Sequence, residues 1–273
     1  IAAGQTLVIT GATVTIGEDA ELTLEAKGTI TGAIYDVNGV FTAYNGSTFV
    51  APTNYDTYTR GTDYVRYSGI VAALNNAAAG DVVNVTRPVT GVEDLTIPQG
   101  VTLNASADIT LTGDLVIETE AVMAMKDTAS LNMTGEKSKV IVDGTLDLEE
   151  GAIDFTYKVA GDNALTSSGT TIMPTSEFTD IESIVNGIMY TNEDTMYVIT
   201  NAAAAIAAAA AQDVNKNVTF YGTTSSGDLE ANVDVTIDDT AKATVSSIVQ
   251  ELLDSGLVRE VGSAPAEKGR KPI

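Results

Sequence analysis

Cysteine, histidine and tryptophan are absent from this 273-residue chain, and aromatic residues make up only 5% of it. Without thiols there is no disulfide staple, no thiolate nucleophile and no cysteine-bound zinc, and without imidazole the usual acid/base group near neutral pH is missing. The lack of cysteine fits any redox compartment. Basic residues are scarce as well. Fourteen Lys and Arg stand against 37 Asp and Glu, giving a net charge of −23 that repels nucleic acid and anionic membrane. No apolar run is long enough to cross a bilayer, since even Ala202–Ala211 is too short. No signal peptide or initiator methionine opens the chain, so Ile1 is expected to begin a processed chain or one cut from a longer chain.

What is abundant is strand-forming. Hydrophobic residues make up 44%, and Thr, Val, Gly, Asn and Asp suit many short strands closed by turns. One segment is written three times: VTIGEDAELTL at Val14–Leu24, VTLNASADITL at Val101–Leu111 and VTIDDTAKATV at Val235–Val245. Apolar residues recur in each at a period of two while Thr alternates with them, which is the pattern of strands with one buried face. Val14, Ile16, Leu22, Leu24, Val101, Leu103, Ile109, Leu111, Val235 and Ile237 are therefore expected to point inward, with Thr102 and Thr110 outward. The second and third copies extend upstream, where Tyr64–Thr86 matches Tyr197–Thr219 through a strand, an Ala-rich helix and a strand.

From Val82 the strand signals VVNV, LTI, VTL, ITL, LVI, LNM, VIV and TLDL follow one another too closely for an antiparallel sandwich, with glycines at 100, 113, 135 and 144 between them. The expected fold is mainly β: parallel β-helix or β-solenoid-like repeats with short helical segments and a C-terminal helix. Residues 1–60 read as a first repeat and loop, 61–160 as a solenoid unit, and 161–196 as a connector. Residues 197–245 read as a second unit and 246–273 as a separate fragment. Asp36-Val37-Asn38-Gly39 reads as a hairpin turn. Phe178–Met189 reads as a helix, capped by Thr179 or Asp180, with Ile181, Ile184 and Ile188 on one face. An amphipathic helix is expected within Ser68–Ala79.

The Ala-rich helix followed by Gly80-Asp81 and the first strands resembles the opening coil of pectin-lyase-like right-handed β-helix proteins, over residues 64 to 155 and again 197 to 245. Enzymes of that family cleave acidic polysaccharides with clustered carboxylates, either beside calcium and a basic residue or as an acid and base pair. Here Asp143 and Asp147 lie near Glu149, Glu150 and Asp154, and Glu118 and Glu120 are read as sharing one strand face. No motif sets a base opposite them, and a solvated acidic wall explains them without chemistry. No catalytic residue and no cofactor is expected. Weak calcium binding stays open at loop carboxylates, around Glu18, Asp19 and Glu21 or around Asp238 and Asp239, with no metal ligand set assigned. Residues 243–273 resemble the recognition helix and wing of ROK-family winged-helix repressors of sugar genes. That resemblance would place DNA contacts at Thr244, Ser246, Ser247, Arg270 and Lys271. The supporting helices are replaced by solenoid repeat, so nucleic acid is not an expected partner. Ile248, Val249, Leu252, Leu253 and Leu257 would instead cap the last coil.

Asn-x-Ser/Thr triplets at Asn45, Asn84, Asn104, Asn132 and Asn217 are candidate glycosylation sites, at a frequency a Thr-rich chain also reaches by chance. Tyr55, Tyr58 and Tyr64 are spaced for an exposed face that could stack on sugar rings, or for packing between coils. The functional expectation is a non-catalytic structural or adhesive protein, extracellular or on a cell surface. Its expected partners are other surface proteins, copies of itself or glycans. A polysaccharide-binding or polysaccharide-degrading β-helix is the alternative, and a fragment of a sugar-responsive DNA-binding regulator a further one.

Overall fold

The computed structural model of the chain describes residues 1–32, 34–159, 161–186, 188–192, 195–199, 207, 210, 211, 217–220 and 234–237. These form a mainly β structure with parallel stacked coils, a β-solenoid of about seven turns, and two short helices. The first turn is β1 (Thr6–Val8), β2 (Thr13–Ile16) and β3 (Glu21–Leu24). The second is β4 (Thr29–Thr31), β5 (Ile34–Val37) and β6 (Val40–Tyr44), each strand parallel to its counterpart in the first. A hairpin of β7 (Thr57–Arg60) and β8 (Tyr64–Ser68) and the helix α1 (Ile70–Asn75) lead into a second stack.

The turns of that stack are β9 (Val82–Val85), β10 (Val89–Val92) and β11 (Leu95–Ile97); β12 (Thr102–Ala105), β13 (Ile109–Leu111) and β14 (Leu115–Ile117); β15 (Val122–Met125), β16 (Ser130–Met133) and β17 (Val140–Val142); and β18 (Thr145–Asp147), β19 (Ala152–Phe155) and β20 (Leu165–Ser167). A last turn holds β21 (Thr170–Pro174), α2 (Thr175–Ile181), a 3-10 turn at Glu182–Ile184 and β22 (Val185–Asn186). A second hairpin, β23 (Ile188–Asn192) and β24 (Thr195–Ile199), precedes β25 (Asn217–Phe220) and β26 (Asp234–Ile237). Two sheets of the second stack run β10-β13-β16-β19 and β11-β14-β17-β20-β22. The third wall belongs to a sheet of thirteen described strands that runs through both stacks and both hairpins, from β3 to β26.

The interior of the second stack confirms the period-two reading. Val101, Leu103, Ile109, Leu111, Leu115 and Ile117 are fully buried, and Thr102 and Thr110 lie outside, half-covered by the turns above and below. Each such side chain contributes about 1.5–3 kcal/mol by leaving water. Ile16 and Leu24 are buried as expected, whereas Val14 and Leu22 are only half-buried because their turn is packed on one side only. Val235 and Ile237 lie in β26, but their side chains are outside the described residues. The first two copies of the repeat are not in phase. Val14–Leu24 turns a corner into the thirteen-stranded sheet, and Val101–Leu111 turns the next corner out of it. The repeated unit is a corner, not a full turn.

The two stacks share a sheet but bury opposite sides of it. Residues paired directly across a ladder project to the same side. Leu22 and Leu24 pair with Phe41 and Ala43, these with Tyr67 and Val65, and Tyr67 with Tyr58, so this side carries the core of the first stack. Val83 and Val85, core residues of the second stack, pair instead with Thr59 and Thr57, and Thr59 pairs with Arg66 on the other side. Strand direction reverses as well: β8 is antiparallel to β6, β7 to β8, and β9 to β7. Reversing both strand direction and core side while stacking continues one way is a half-turn about the stacking axis, which preserves the hand of the coil.

The second hairpin repeats this joint. β24 pairs antiparallel with β21, β23 with β24, and β25 with β23, and β26 then lies parallel on β25. Met196 and Val198 join the core of the second stack, as Val65 and Tyr67 face that of the first. The upstream likeness between Tyr64–Thr86 and Tyr197–Thr219 is the sequence record of one joint used twice.

Three local expectations are corrected. Residues 36–39 form no hairpin, because β5 and β6 belong to different sheets and the segment turns a coil corner where Asn38 and Gly39 both donate to the Ile16 carbonyl. A Cβ at Gly39 would lie 2.1 Å from the Gly17 carbonyl oxygen, so close approach between turns is what requires glycine here. The helix read at 178–189 starts at Thr175 with Pro174 in the capping position and ends at Ile181, and Val185 and Asn186 leave for the ladder with Leu165 and Thr166. Ile181 and Ile184 are buried, through the 3-10 turn and not a continuous helix face, and Ile188 lies in a strand. The helix within Ser68–Ala79 is confined to Ile70–Asn75. The C-terminal helix expected near Thr244–Ser255 lies outside the described residues.

Candidate ligand cleft at the first hairpin

Two tyrosine groups form where the first hairpin meets the first stack. Tyr55, Tyr58 and Tyr67 pack together with ring centroids 5.0 to 6.5 Å apart. Tyr67 also stacks on the buried Phe41 at 6.1 Å, closing the end of the first core. The guanidinium of Arg87 covers Tyr55 at 5.3 Å. Burial, and then the neighbouring phenols, raise the Tyr67 pKa. On the opposite side α1 lies against the sheet, burying Ile70, Ala73 and Leu74 over Thr57, Thr59 and Ser68. Arg66 ties this helix down: its Nε donates to Thr42 Oγ1 at 3.2 Å and its Nη1 to the Asn76 carbonyl at 3.0 Å.

The second group is Tyr44 and Tyr64, edge to face at 6.1 Å. Tyr64 is fixed: Arg66 lies over its ring at 5.3 Å, and its hydroxyl donates to Asp81 Oδ2 at 2.5 Å. Its pKa is pushed up to about 12, first by burial and then by the Asp81 hydrogen bond and charge. Tyr44 is held on one edge only and is 36% exposed. It opens onto a cleft of about 320 Å³, lined also by Asn45, Ser47, Phe49, Arg60 and Asp63. The walls are two loops, 45–49 and 61–63, bridged by the Asn45 amide donating to the Asp63 carbonyl at 2.8 Å.

The expectation for the tyrosines is thus half met. Tyr55 and Tyr58 pack between coils, Tyr64 is locked from behind, and the ring that reaches solvent is Tyr44. Its position just before Asn45-Gly46 was the available signal, since a turn at the end of a strand leaves the preceding side chain at a rim.

The described acidic residues do not converge on a reacting centre. Asp143 accepts a hydrogen bond from the Ser168 hydroxyl at a coil corner, and Asp147 pairs with Lys126 at 3.5 Å. Asp154 pairs with Lys158 at 3.6 Å. Glu118 and Glu120 lie in the turn after β14, not on a strand face, where Glu118 accepts from the Gln99 amide (2.9 Å) and Glu120 from its side chain (3.2 Å). Glu149 and Glu150 line an open hollow of about 560 Å³ with Asp127 and Glu177. Tyr197 is nearby, its pKa raised by burial and then by Glu149 and Asp147. Glu18 and Asp19 are exposed in a turn, and Glu21 accepts from Thr42. Among the described residues no three acidic side chains are grouped so as to hold a metal ion; Asp238 and Asp239 are outside them.

Asn45 is exposed in a turn, whereas Asn84, Asn104 and Asn132 are half-buried on the outer walls of β9, β12 and β16, and Asn217 lies in β25. Thr244, Ser246, Ser247, Arg270 and Lys271 lie outside the described residues. No described helix is long and apolar enough to cross a membrane.

A scan against protein-family models, a search of curated proteins and a search of solved structures each found no match to this chain.

Proposed function

We propose that this chain is a non-catalytic structural or adhesive protein of an extracellular or cell surface, with other surface proteins, copies of itself or glycans as partners. The observation that carries this reading is the joint used twice. The first hairpin closes one core and opens the next on the opposite side, the second repeats its strand pairing, and both keep a single sheet unbroken, so units are added without interrupting the hydrogen-bonded wall. Such construction sets length and displays walls, which is the work of a spacer or scaffold. Cofactors have no part in this reading. The resemblance to pectin-lyase-like proteins is kept as a proposal of kinship in fold, and the repressor-like tail adds nothing to it.

Two measurements test the reading. Antibody raised against the folded protein is expected to label intact source cells; label appearing only after lysis overturns the surface placement. Incubation with polygalacturonate, with and without calcium, is expected to give no unsaturated or reducing ends. Turnover that Asp143→Ala or Asp147→Ala abolishes would establish the enzyme instead. The polysaccharide-binding alternative is favoured by one observation, the solvent-facing Tyr44 in a cleft with polar planar side chains.

A further inference from the structure

We propose that the Tyr44 cleft binds a neutral sugar ring of a polysaccharide. The cleft is a concave site at the lower end of the roughly 300–1,000 Å³ that small ligands occupy, which suits one or two pyranose rings. A pyranose has an apolar face of C–H groups and a rim of hydroxyls, so its binding site needs an accessible aromatic face beside fixed donors and acceptors. Tyr44 supplies the face, 36% exposed and braced by Tyr64. Tyr64 is itself held by Arg66 and Asp81, so the platform is preorganised and little ordering remains to oppose binding.

The rim is supplied by Asp63 and Asn45. Among the described residues the Asp63 side chain has no hydrogen-bond or ion-pair partner, and both residues line the cleft. The carboxylate of Asp63 accepts from neighbouring hydroxyls, and the Asn45 amide both donates and accepts. Asp63, on a protein of net charge −23, turns the selection toward neutral sugars, because a uronate would bring a second carboxylate beside it. The proposal deepens the adhesive reading and rests on it for its setting.

The test is saturation-transfer NMR and calorimetry on the full chain, with cellopentaose, mannopentaose and a galactotetraose as neutral probes and trigalacturonate as the acidic one. At least one neutral probe is expected to bind, with dissociation constants of about millimolar order. Tyr44→Leu and Asp63→Asn should each weaken it about tenfold or more, with melting temperature unchanged. Leu keeps apolar bulk at the strand end, and Asn keeps the loop geometry. Tyr157→Ala, at an exposed ring elsewhere, should leave binding intact. No transfer to any neutral probe, equal binding in both cleft variants, or tighter binding of the acidic probe overturns the proposal. Sugar binding by a protein that antibody finds only inside cells would overturn the surface placement while leaving the cleft; surface label without sugar binding would do the reverse.

Discussion

Tyr64 donates its hydroxyl to Asp81 across 17 residues of sequence, joining the first hairpin to the turn that starts the second stack. Asp81 is buried, and its Oδ2 also accepts from the Ala78 amide at 3.0 Å, so one carboxylate fixes both the turn and the tyrosine behind the cleft.

Removing the hydroxyl with Tyr64→Phe leaves a buried carboxylate short of a donor, for which a cost of about 1–3 kcal/mol is expected in denaturant unfolding. The pH dependence has a definite sign. Tyr64 ionises near 10 when unfolded and near about 12 when folded, so the fold prefers the protonated phenol. Its contribution is complete below pH ~10 and is lost as pH rises toward ~12. Tyr67 and Tyr197 are shifted the same way. Melting temperature should fall over that interval, and ultraviolet titration of Tyr64→Phe should lack one phenolate step above pH ~10.

Gly144 sits at a corner where it and Asp143 both donate to the Ile117 carbonyl, and a Cβ there would lie 2.2 Å from the Ala121 carbonyl oxygen. Gly169, one turn on, meets the Gly144 carbonyl oxygen at 2.0 Å in the same way. Gly144→Ala is expected to destabilise by about 1–3 kcal/mol or more, because the backbone of the preceding turn at Glu118 and Ala121 has to move. Gly17→Ala, at a corner with open space, should stay within about 0.5 kcal/mol in the same chemical melts.

Leu103 is fully buried in the middle of the second stack and Thr102 beside it faces out. Leu103→Ala should cost about 2–5 kcal/mol, while Thr102→Ala should cost a small fraction of that. Equal losses, or the reverse order, would show the register to be displaced by one residue.

Arg66→Lys keeps the charge but cannot reach Thr42, the Asn76 carbonyl and the Tyr64 face together. Faster amide hydrogen exchange is expected across Ala73–Ala77 at the end of α1, with little change at Leu115–Ile117, a strand away from the joint.

Strand register was legible because solenoid interiors impose a strict period of two: Val101, Leu103, Ile109 and Leu111 declare their side without knowledge of their neighbours. The hairpin was not. Tyr58 and Thr59 alternate like any strand, and nothing in them says that the two sides belong to different cores; that follows only from pairing with Tyr67 and Val83. Residues 178–189 misled because Ile181, Ile184 and Ile188 share a helical face, while ladder bonds at Val185 and Asn186 outweigh helix propensity. In the cleft, spacing showed that the tyrosines were grouped. Burial decided which of them met solvent, and it depends on Arg66, Asp81 and Arg87 from distant segments.

A half-turn like that at the first hairpin, repeated at every joint, would also set what a long assembly of such units presents. Material laid against one flank of the rod would meet the same wall only at every second unit. Binding partners held at successive joints would point away from each other, like leaves set alternately on a stem. Cross-linking two opposed surfaces would then need no second molecule, whereas coating a single flat one would leave half of the sites unused.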